Sequence, residues 1–515
     1  MQHEGAMTEA SASSARRIVI VGSDLAAWMA AAALARAVPP GDWSIIVVAD
    51  EPETDPAPCD NADATLPHTK SSHLALEMDE DAVVTRTGGT FTYGIALSGW
   101  ADPAAAWFQP FGDVGATLGH VPFHHIVMRL RHEGLPLRLA NYSLAALAAQ
   151  AGRFARPGRD PRSVLSTCQY GLHLDCARFA GTLRSQARFA GVTTVPGPLV
   201  KVERRGDGSI AAVISGDGTR IEGDLFLDCT GTAARLSSGN GQGAWQDWSA
   251  WLPCDRFLSA RVETQHAPLP YSLAVAHSAG WIRHLPLCGE SQLTCFYRSD
   301  VLGDADAAEM LRESAGHSEL REVRSGGARF GRRTAPWEGN CLALGPAAAL
   351  IDPVAITNLH LLRASIDNLL RLLPGDRNAG VEAREYNRLS GLQFNHARDF
   401  AVLHYKLNGR HGETMWDACR AMSVPETLDY KLRSYESRGR IALYDEEPLD
   451  EASWLNLFDE HGVRPRRYSS LVEGFETAEL KAHVERVREI MLNELRRMPM
   501  HSEYLARLQA PAHTQ

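Results

Sequence analysis

Lysine is scarce in this chain: five residues, at 70, 201, 406, 431 and 481, among 52 basic side chains. Positive charge is not in excess either, since the formal net charge is -10. A surface of that balance excludes a partner that is mostly phosphate backbone, so nucleic acid is not expected. No stretch approaches the ~20 uninterrupted apolar residues needed to cross a bilayer, so no membrane partner is expected. The first residues, Met1 to Arg17, carry no apolar segment and do not read as a secretory signal. They read as a disordered tail over residues 1–16, with Met7 as an alternative start. Nine cysteines are scattered without a CxxC pair, which argues against a zinc site or a disulfide framework. His124 and His125 lack partners at metal spacing, and no metal is expected. A reduced cytoplasmic protein is the expectation. No internal repeat is visible.

What is present is length and an ordinary globular balance: 515 residues, 44% hydrophobic and 22% charged. That is enough for a large fold plus an appendage. The run Arg17 to Val21 is a short β-branched segment ending at Gly22. Trp28 to Arg36 follows as a strong helix former, stopped by Pro39, Pro40 and Gly41. Ser44 to Val48 is a second strand. Strand, tight turn, helix and strand within residues 17–50 make the βαβ unit of a dinucleotide-binding fold. Asp50 to Leu66, rich in Pro, Asp, Asn and Ala, reads as a loop. Val200 to Glu203 and Ile210 to Ile214 flank Gly206-Asp207-Gly208, and Asp217-Gly218 follows; these turns predict a β-meander. The meander feeds a return strand ending in Asp228-Cys229-Thr230-Gly231. After about residue 400 the character becomes helical. Ser423 to Glu426 has the spacing of a capping box. Leu480, Val484, Val487, Met491 and Leu495 form the core-facing stripe of a terminal helix.

Several separated segments, in order, resemble the flavin-dependent tryptophan halogenases. They are Ile18 to Gly22 with Ala27-Trp28-Met29-Ala30-Ala31, then Gly94 to Trp100, then Pro110-Phe111-Gly112 and Phe123-His124. Tyr170 to Asp175 and Asp224 to Gly231 follow. Next comes Gly280-Trp281-Ile282-Arg283-His284-Leu285-Pro286, close to the family's Gly-Trp-x-Trp-x-Ile-Pro. Pro336 to Cys341 leads into Asp352-Pro353 and Thr357 to His360. Trp416 and Trp454 are weaker signals in the C-terminal part. The resemblance implies an α/β protein with an FAD-binding Rossmann-like, aromatic-hydroxylase-like fold and a mixed sheet over 17–400. A helical C-terminal region over 401–515 completes it.

The resemblance also implies chemistry, and here the chain departs from its pattern. In the family a lysine holds the halogen oxidant beside an indole, and a glutamate stabilises the charge that develops on the ring. The lysine position is filled by Thr92, a neutral donor that cannot form a chloramine. The glutamate position is Ala355, and the neighbouring serine position is Ile356. Lys70 is the only lysine near Thr92 in sequence. The resemblance assigns FAD contacts to Gly22, Ala27, Asp228, Gly231 and Gly345, a substrate contact to Phe111, with Gln109 in place of a histidine, and a halide site to Thr357 and Asn358. Asp24 stands where the phosphate turn needs its second glycine, and Ala49 where a ribose-binding acid belongs, with Asp50 one residue out of register. Two like charges at ~4 Å repel by about 1 kcal/mol in water and several times that when partly buried. Asp24 also suits a helix N-cap. Asp60 to Pro67 occupies the family's flavin loop without its glycines. Gly345-Pro346 stands where relatives keep an acidic or small residue after glycine. Arg283 replaces the second motif tryptophan.

Two readings of Thr92 and Ala355 stand: a pocket retuned to another oxidation, or decay of an unused site. Phe111 reads equally as a substrate contact or as core. At the level of function, one reading is a flavin-dependent halogenase or monooxygenase relative with impaired halogenation. It would act on or bind a small aromatic substrate and take reduced flavin from a separate reductase. The other is a non-catalytic relative that no longer binds FAD and instead binds an indole-like ligand or pairs with an active halogenase subunit; a homo- or heterodimer is expected on either reading.

Overall fold

A computed structural model describes residues 16–39, 41–50, 56–67, 78–238, 244–375 and 380–509. Lys70, Pro40 and the tail call over residues 1–15 lie outside the described residues, and the first strand already begins at Arg16. That strand, β1 (Arg16–Val21), has the four residues Ile18 to Val21 fully buried, as a two-sided parallel strand requires. It runs into α1 (Leu25–Ala37), an alanine-rich helix with little side-chain entropy to lose. The helix stops before Val38-Pro39, because a residue preceding proline is pushed out of the α region. β2 (Trp43–Ala49) returns parallel to β1, with Ile18 opposite Ile45 and Val21 opposite Val48.

The segment read as a loop after Asp50 contains a strand, β3 (Ala62–Ala64). With β4 (Thr90–Thr92) and, beyond β5 (Ala106–Pro110), β6 (Gly171–Asp175), it forms a small antiparallel sheet with β6 in the centre. Three residues carry too little periodicity to be legible, and long-range pairing decides them. The return strand β7 (Leu225–Asp228) lies beside β1, so the main sheet runs from Trp337–Glu338 through Cys341–Ala343, β7, β1 and β2 to Thr193–Pro196. The predicted meander is the antiparallel sheet of Leu199–Arg204, Ile210–Ser215 and Arg220–Glu222.

A seven-stranded mixed sheet carries the second half of the interior. β8 (Gly280–Pro286), which carries the motif begun by Gly280-Trp281, lies at its middle, and β5 lies at one edge. Trp281 of β8 packs against Phe296 and Trp100, which in turn meets Trp416 and Tyr405 in one aromatic core.

The helical part begins earlier than expected. α2 (Asn358–Arg371) and α3 (Gly380–Lys406) precede and span residue 400, so a change of character at 400 would cut a continuous helix. α4 (Glu451–Glu460) and α5 (Thr477–Arg497) follow. Leu480, Val484, Val487 and Met491 of α5 are buried as read, and Leu495 packs at the margin. The capping box is a miss: the helix Glu426–Arg438 starts behind Pro425 and no side chain caps it. Proline at that position already fixes the entering backbone, and Ser423 instead gives its carbonyl to the Trp251 indole N–H at 2.9 Å.

Candidate functional site

The βαβ turn places the first group of expected residues together. Gly22 has φ +140°, and a Cβ there would fall 2.2 Å from the Cys229 carbonyl oxygen. Only glycine permits β1 and the end of β7 to approach so closely. Gly231 and Gly345 also sit at positive φ, at +68° and +61°, and Ala27 is fully buried against the sheet. Asp24 is half-buried and caps α1: its Oδ1 accepts from the Ala27 N–H at 3.2 Å. Burial pushes its carboxyl up to about 6, against the lowering effect of the capping hydrogen bonds, and the Asp228 charge adds to the rise. The positive end of α1 thus already holds a carboxylate of the chain.

Asp228 is fully buried and spends its carboxylate on the loop that follows it. Oδ1 accepts from the Thr230 hydroxyl and N–H at 2.7 and 3.2 Å; Oδ2 accepts from Leu236 N–H, Ser237 N–H and the Ser237 hydroxyl. Asp50 is similarly committed. Oδ2 pairs with Arg235 at 2.7 Å and Oδ1 accepts from Leu199 N–H at 2.7 Å, while its carbonyl accepts from Ser23 Oγ. It therefore ties β2 to the meander rather than replacing the acid missing at Ala49. The residues fit the FAD implied by the resemblance at Gly22, Gly231 and Gly345. At the diphosphate and ribose positions the chain departs from the pattern of the resemblance. Asp24 fills the anion position, Asp50 is paired internally, and Pro346 offers no side-chain acceptor.

The halogen-handling positions lie on β4 and on the segment before α2. Thr92 is buried, and its hydroxyl is turned onto the backbone two residues on, donating to Gly94 O at 2.9 Å and accepting from Gly94 N–H at 3.2 Å. Ala355 is partly buried beside the fully buried Ile356. Two lysines are committed to other parts of the helical region. Lys406 donates to the carbonyls of Arg420 and Met422, and Lys431 pairs with Glu447 under the faces of Trp454 and Tyr444.

Phe111 directly follows β5, 9% exposed, with its N–H bonded to Tyr93 O. Gln109 on the same strand is buried and gives its amide N–H to Ser453 O at 3.1 Å, while Asn456 donates to Gln109 Oε1 and Phe108 O. These bonds clamp α4 onto β5 and bring the neighbour of Trp454 alongside. The structure thus brings Gln109 to the Trp454 segment, a pairing the sequence alone does not show.

Thr357 caps α2: its hydroxyl accepts from His360 N–H and donates to Ala64 O at 2.6 Å. The Asn358 side chain exchanges two hydrogen bonds with the Ile351 backbone. Both side chains assigned to a halide are therefore engaged within the chain. For two residues that stand in quoted motifs, Asp63 and Asp352, the partners escaped sequence reasoning. Asp63 is fully buried; its Oδ2 accepts from Leu359 N–H at 3.0 Å and its Oδ1 pairs with Arg283 at 2.9 Å. Asp352 accepts from the Tyr405 hydroxyl at 2.5 Å, and burial pushes its carboxyl up to about 7. The signals for them were the Arg283 substitution and an aspartate three residues after Asp60, neither of which names a partner. A groove of about 770 Å³ between Ala32, Arg36, Arg178 and Phe189 is lined by none of these residues.

Comparison with known proteins agrees with the geometry. The model of the tryptophan halogenase family matches residues 17–477. A tryptophan 6-halogenase of Streptomyces toxytricini is 25% identical over 490 residues, covering 89% of each chain. A flavin-dependent halogenase from a Brevundimonas species superposes with a TM-score of 0.89 at 33% identity, covering 96% of this chain and 99% of that one. One from Xanthomonas campestris gives the same TM-score and identity over 97% and 100%. With a family model spanning most of the chain and its architecture shared with solved flavin-dependent halogenases, this protein belongs to the tryptophan halogenase family.

Proposed function

We propose that this chain is a halogenase-family flavoprotein in which halogen transfer is impaired and which acts on or binds an aromatic, indole-like ligand. The family implies FAD as the cofactor, an aromatic substrate and a separate flavin reductase. The observation that carries the loss is Thr92. Its hydroxyl is spent on Gly94, so no cation stands at that position to hold a halogen oxidant, and Ala355 offers no carboxylate to the developing ring charge. The ligand class rests on the family and on Phe111, the position to which the resemblance gives a substrate contact. No helix among the described residues is long and apolar enough to cross a membrane. We place the protein in the cytoplasm.

A second reading is favoured by Asp24 and by the Asp50–Arg235 pair. On this reading the chain is a non-catalytic subunit, alone or paired with an active halogenase, that no longer holds FAD. Titrating the purified protein with FAD, reduced FAD and tryptophan or indole in a calorimeter decides between them. Saturable binding of flavin and of an indole supports the first reading. Indole binding without flavin binding at high micromolar concentration supports the second. Binding of neither overturns the first and removes the ligand-binding form of the second.

A further inference from the structure

A buried strand of three residues at the edge of a sheet holds its place only if its outer backbone groups find partners. β4 is such a strand. β6 covers one side of it, with Phe91 opposite Leu172, and no strand among the described residues pairs with the other side. There Phe91 N–H donates to His501 Nε2 at 3.3 Å, and Tyr93 N–H donates to Pro270 O at 2.8 Å. The Tyr93 carbonyl accepts from Phe111 N–H at 2.8 Å, so the placing of Phe111 depends on the same row of bonds. His501 opens the last helix, α6 (His501–Gln509), and is 1% exposed. Its Nδ1 lies 2.9 Å from Pro268 O, which can only accept, so Nδ1 carries the proton and Nε2 offers its lone pair to Phe91 N–H. Burial lowers its pKa to about 4, against the raising effect of the Pro268 bond, and the ring is neutral at neutral pH. The same stretch of chain grips the segment behind Tyr93. His501 N–H donates to Gly152 O at 2.8 Å, Phe154 N–H donates to Pro499 O at 3.1 Å, and Arg153 reaches Met498 O. Ala155 N–H in turn donates to the Tyr93 hydroxyl at 3.1 Å. Tyr504 packs on Phe91 and Phe154, with ring centroids 5.4 and 5.0 Å away.

We propose that α6 is a clasp on the ligand pocket and that His501 is its positioning residue: by accepting the Phe91 N–H it holds β4 in the place that carries Phe111 to the ligand. The two partners are 410 residues apart, so the end of the chain sets the shape of a wall built near its beginning. A buried N–H deprived of its acceptor costs more than an ordinary hydrogen bond contributes, and without His501 the edge of β4 shifts to find another partner. A wall that keeps its binding position about a tenth of the time lowers the apparent affinity about tenfold. The inference rests on the reading that Phe111 contacts an indole-like ligand, and it adds a residue that acts on that ligand only through β4.

The test separates the two ring nitrogens in the full-length protein. His501→Gln puts an acceptor near the place of Nε2 and gives up the bond to Pro268. His501→Asn keeps a donor near the place of Nδ1 and gives up the acceptor for Phe91 N–H. Indole affinity is measured by calorimetry, Tm by circular dichroism, and amide hydrogen exchange at Phe91, Tyr93 and Phe111 without ligand. Both variants are expected to lose similar stability, since each loses one buried hydrogen bond. His501→Gln is expected to keep wild-type affinity. His501→Asn is expected to bind indole about tenfold more weakly, with faster exchange at the three amides. Equal affinities in the two variants, or losses that follow Tm alone, overturn the proposal. Should His501→Asn fail to fold, His501→Gln decides: wild-type affinity at a lowered Tm supports the proposal, and weakened binding overturns it. A wild type that binds no indole defeats the proposed ligand class instead, and the exchange difference between the variants then decides the clasp on β4 by itself.

Discussion

Replacing Asp24 by asparagine should tighten FAD binding while leaving the fold intact. Asp24 caps α1 through Ala27 N–H at 3.2 Å, so a diphosphate directed at the same helix end would meet its carboxylate within ~4 Å. At that separation like charges repel by about 1 kcal/mol in water and about 4 kcal/mol in a partly desolvated site. A half-buried side chain lies between these limits, and 1.4 kcal/mol is tenfold in affinity, so the expected gain is roughly 10- to 100-fold. Asparagine caps a helix as well as aspartate does, and the cap is therefore kept. The carboxyl is pushed up to about 6, mainly by burial, so wild-type affinity should also rise as pH falls from 8 to 5 and the charge is lost. Asp24→Asn should remove that part of the pH dependence. The assay is FAD fluorescence titration of both proteins at pH 5, 6, 7 and 8. Equal affinities at pH 8 together with identical pH profiles would refute the reasoning.

Asp352, raised to about 7 by burial, favours folding in its protonated form. That contribution is fully present below ~3.8 and is lost as pH rises through about 7. Asp352→Asn should therefore gain stability over wild type between pH 5 and 8, read from denaturant midpoints, and no gain at pH 4. Lys431, buried against Glu447 at 2.5 Å, should cost roughly 3–5 kcal/mol when cut to methionine, because Glu447 is left charged and unpaired. Lys431→Met with Glu447→Leu should recover most of that in the same chemical denaturation, and a worse double variant would contradict the assignment. Gly22→Ala places a methyl 2.2 Å from Cys229 O at φ +140° and should abolish soluble folded protein, judged by yield and circular dichroism.

The elements that the sequence shows clearly are those whose causes are local. β1, α1 and β2 follow from a β-branched run, an alanine-rich run and prolines, and the meander follows from its Asp-Gly turns. β3 was invisible because three residues gain their strand character only from pairing with β6. The missed capping box shows the same limit, since Ser423 had the right spacing but Pro425 took the cap position. At the site, single positions were legible and partnerships were not. Asp24 was readable as an N-cap because capping is a contact over three residues. Asp63 and Arg283 are 220 residues apart in sequence, and no spacing rule connects them. The fate of Asp50 depended on Arg235, 185 residues away. Gln109 and Ser453 likewise meet only through the packing of α4 on β5.

The central proposal is that halogen transfer is impaired in this member of the tryptophan halogenase family. The direct measurement supplies the purified protein with FAD, a flavin reductase, reduced nicotinamide, bromide and tryptophan or indole, and follows where the reducing equivalents go. The account predicts hydrogen peroxide in proportion to the nicotinamide consumed and no brominated indole above a protein-free control. Brominated product formed over repeated turnovers, matching a substantial share of the nicotinamide oxidised, would contradict it.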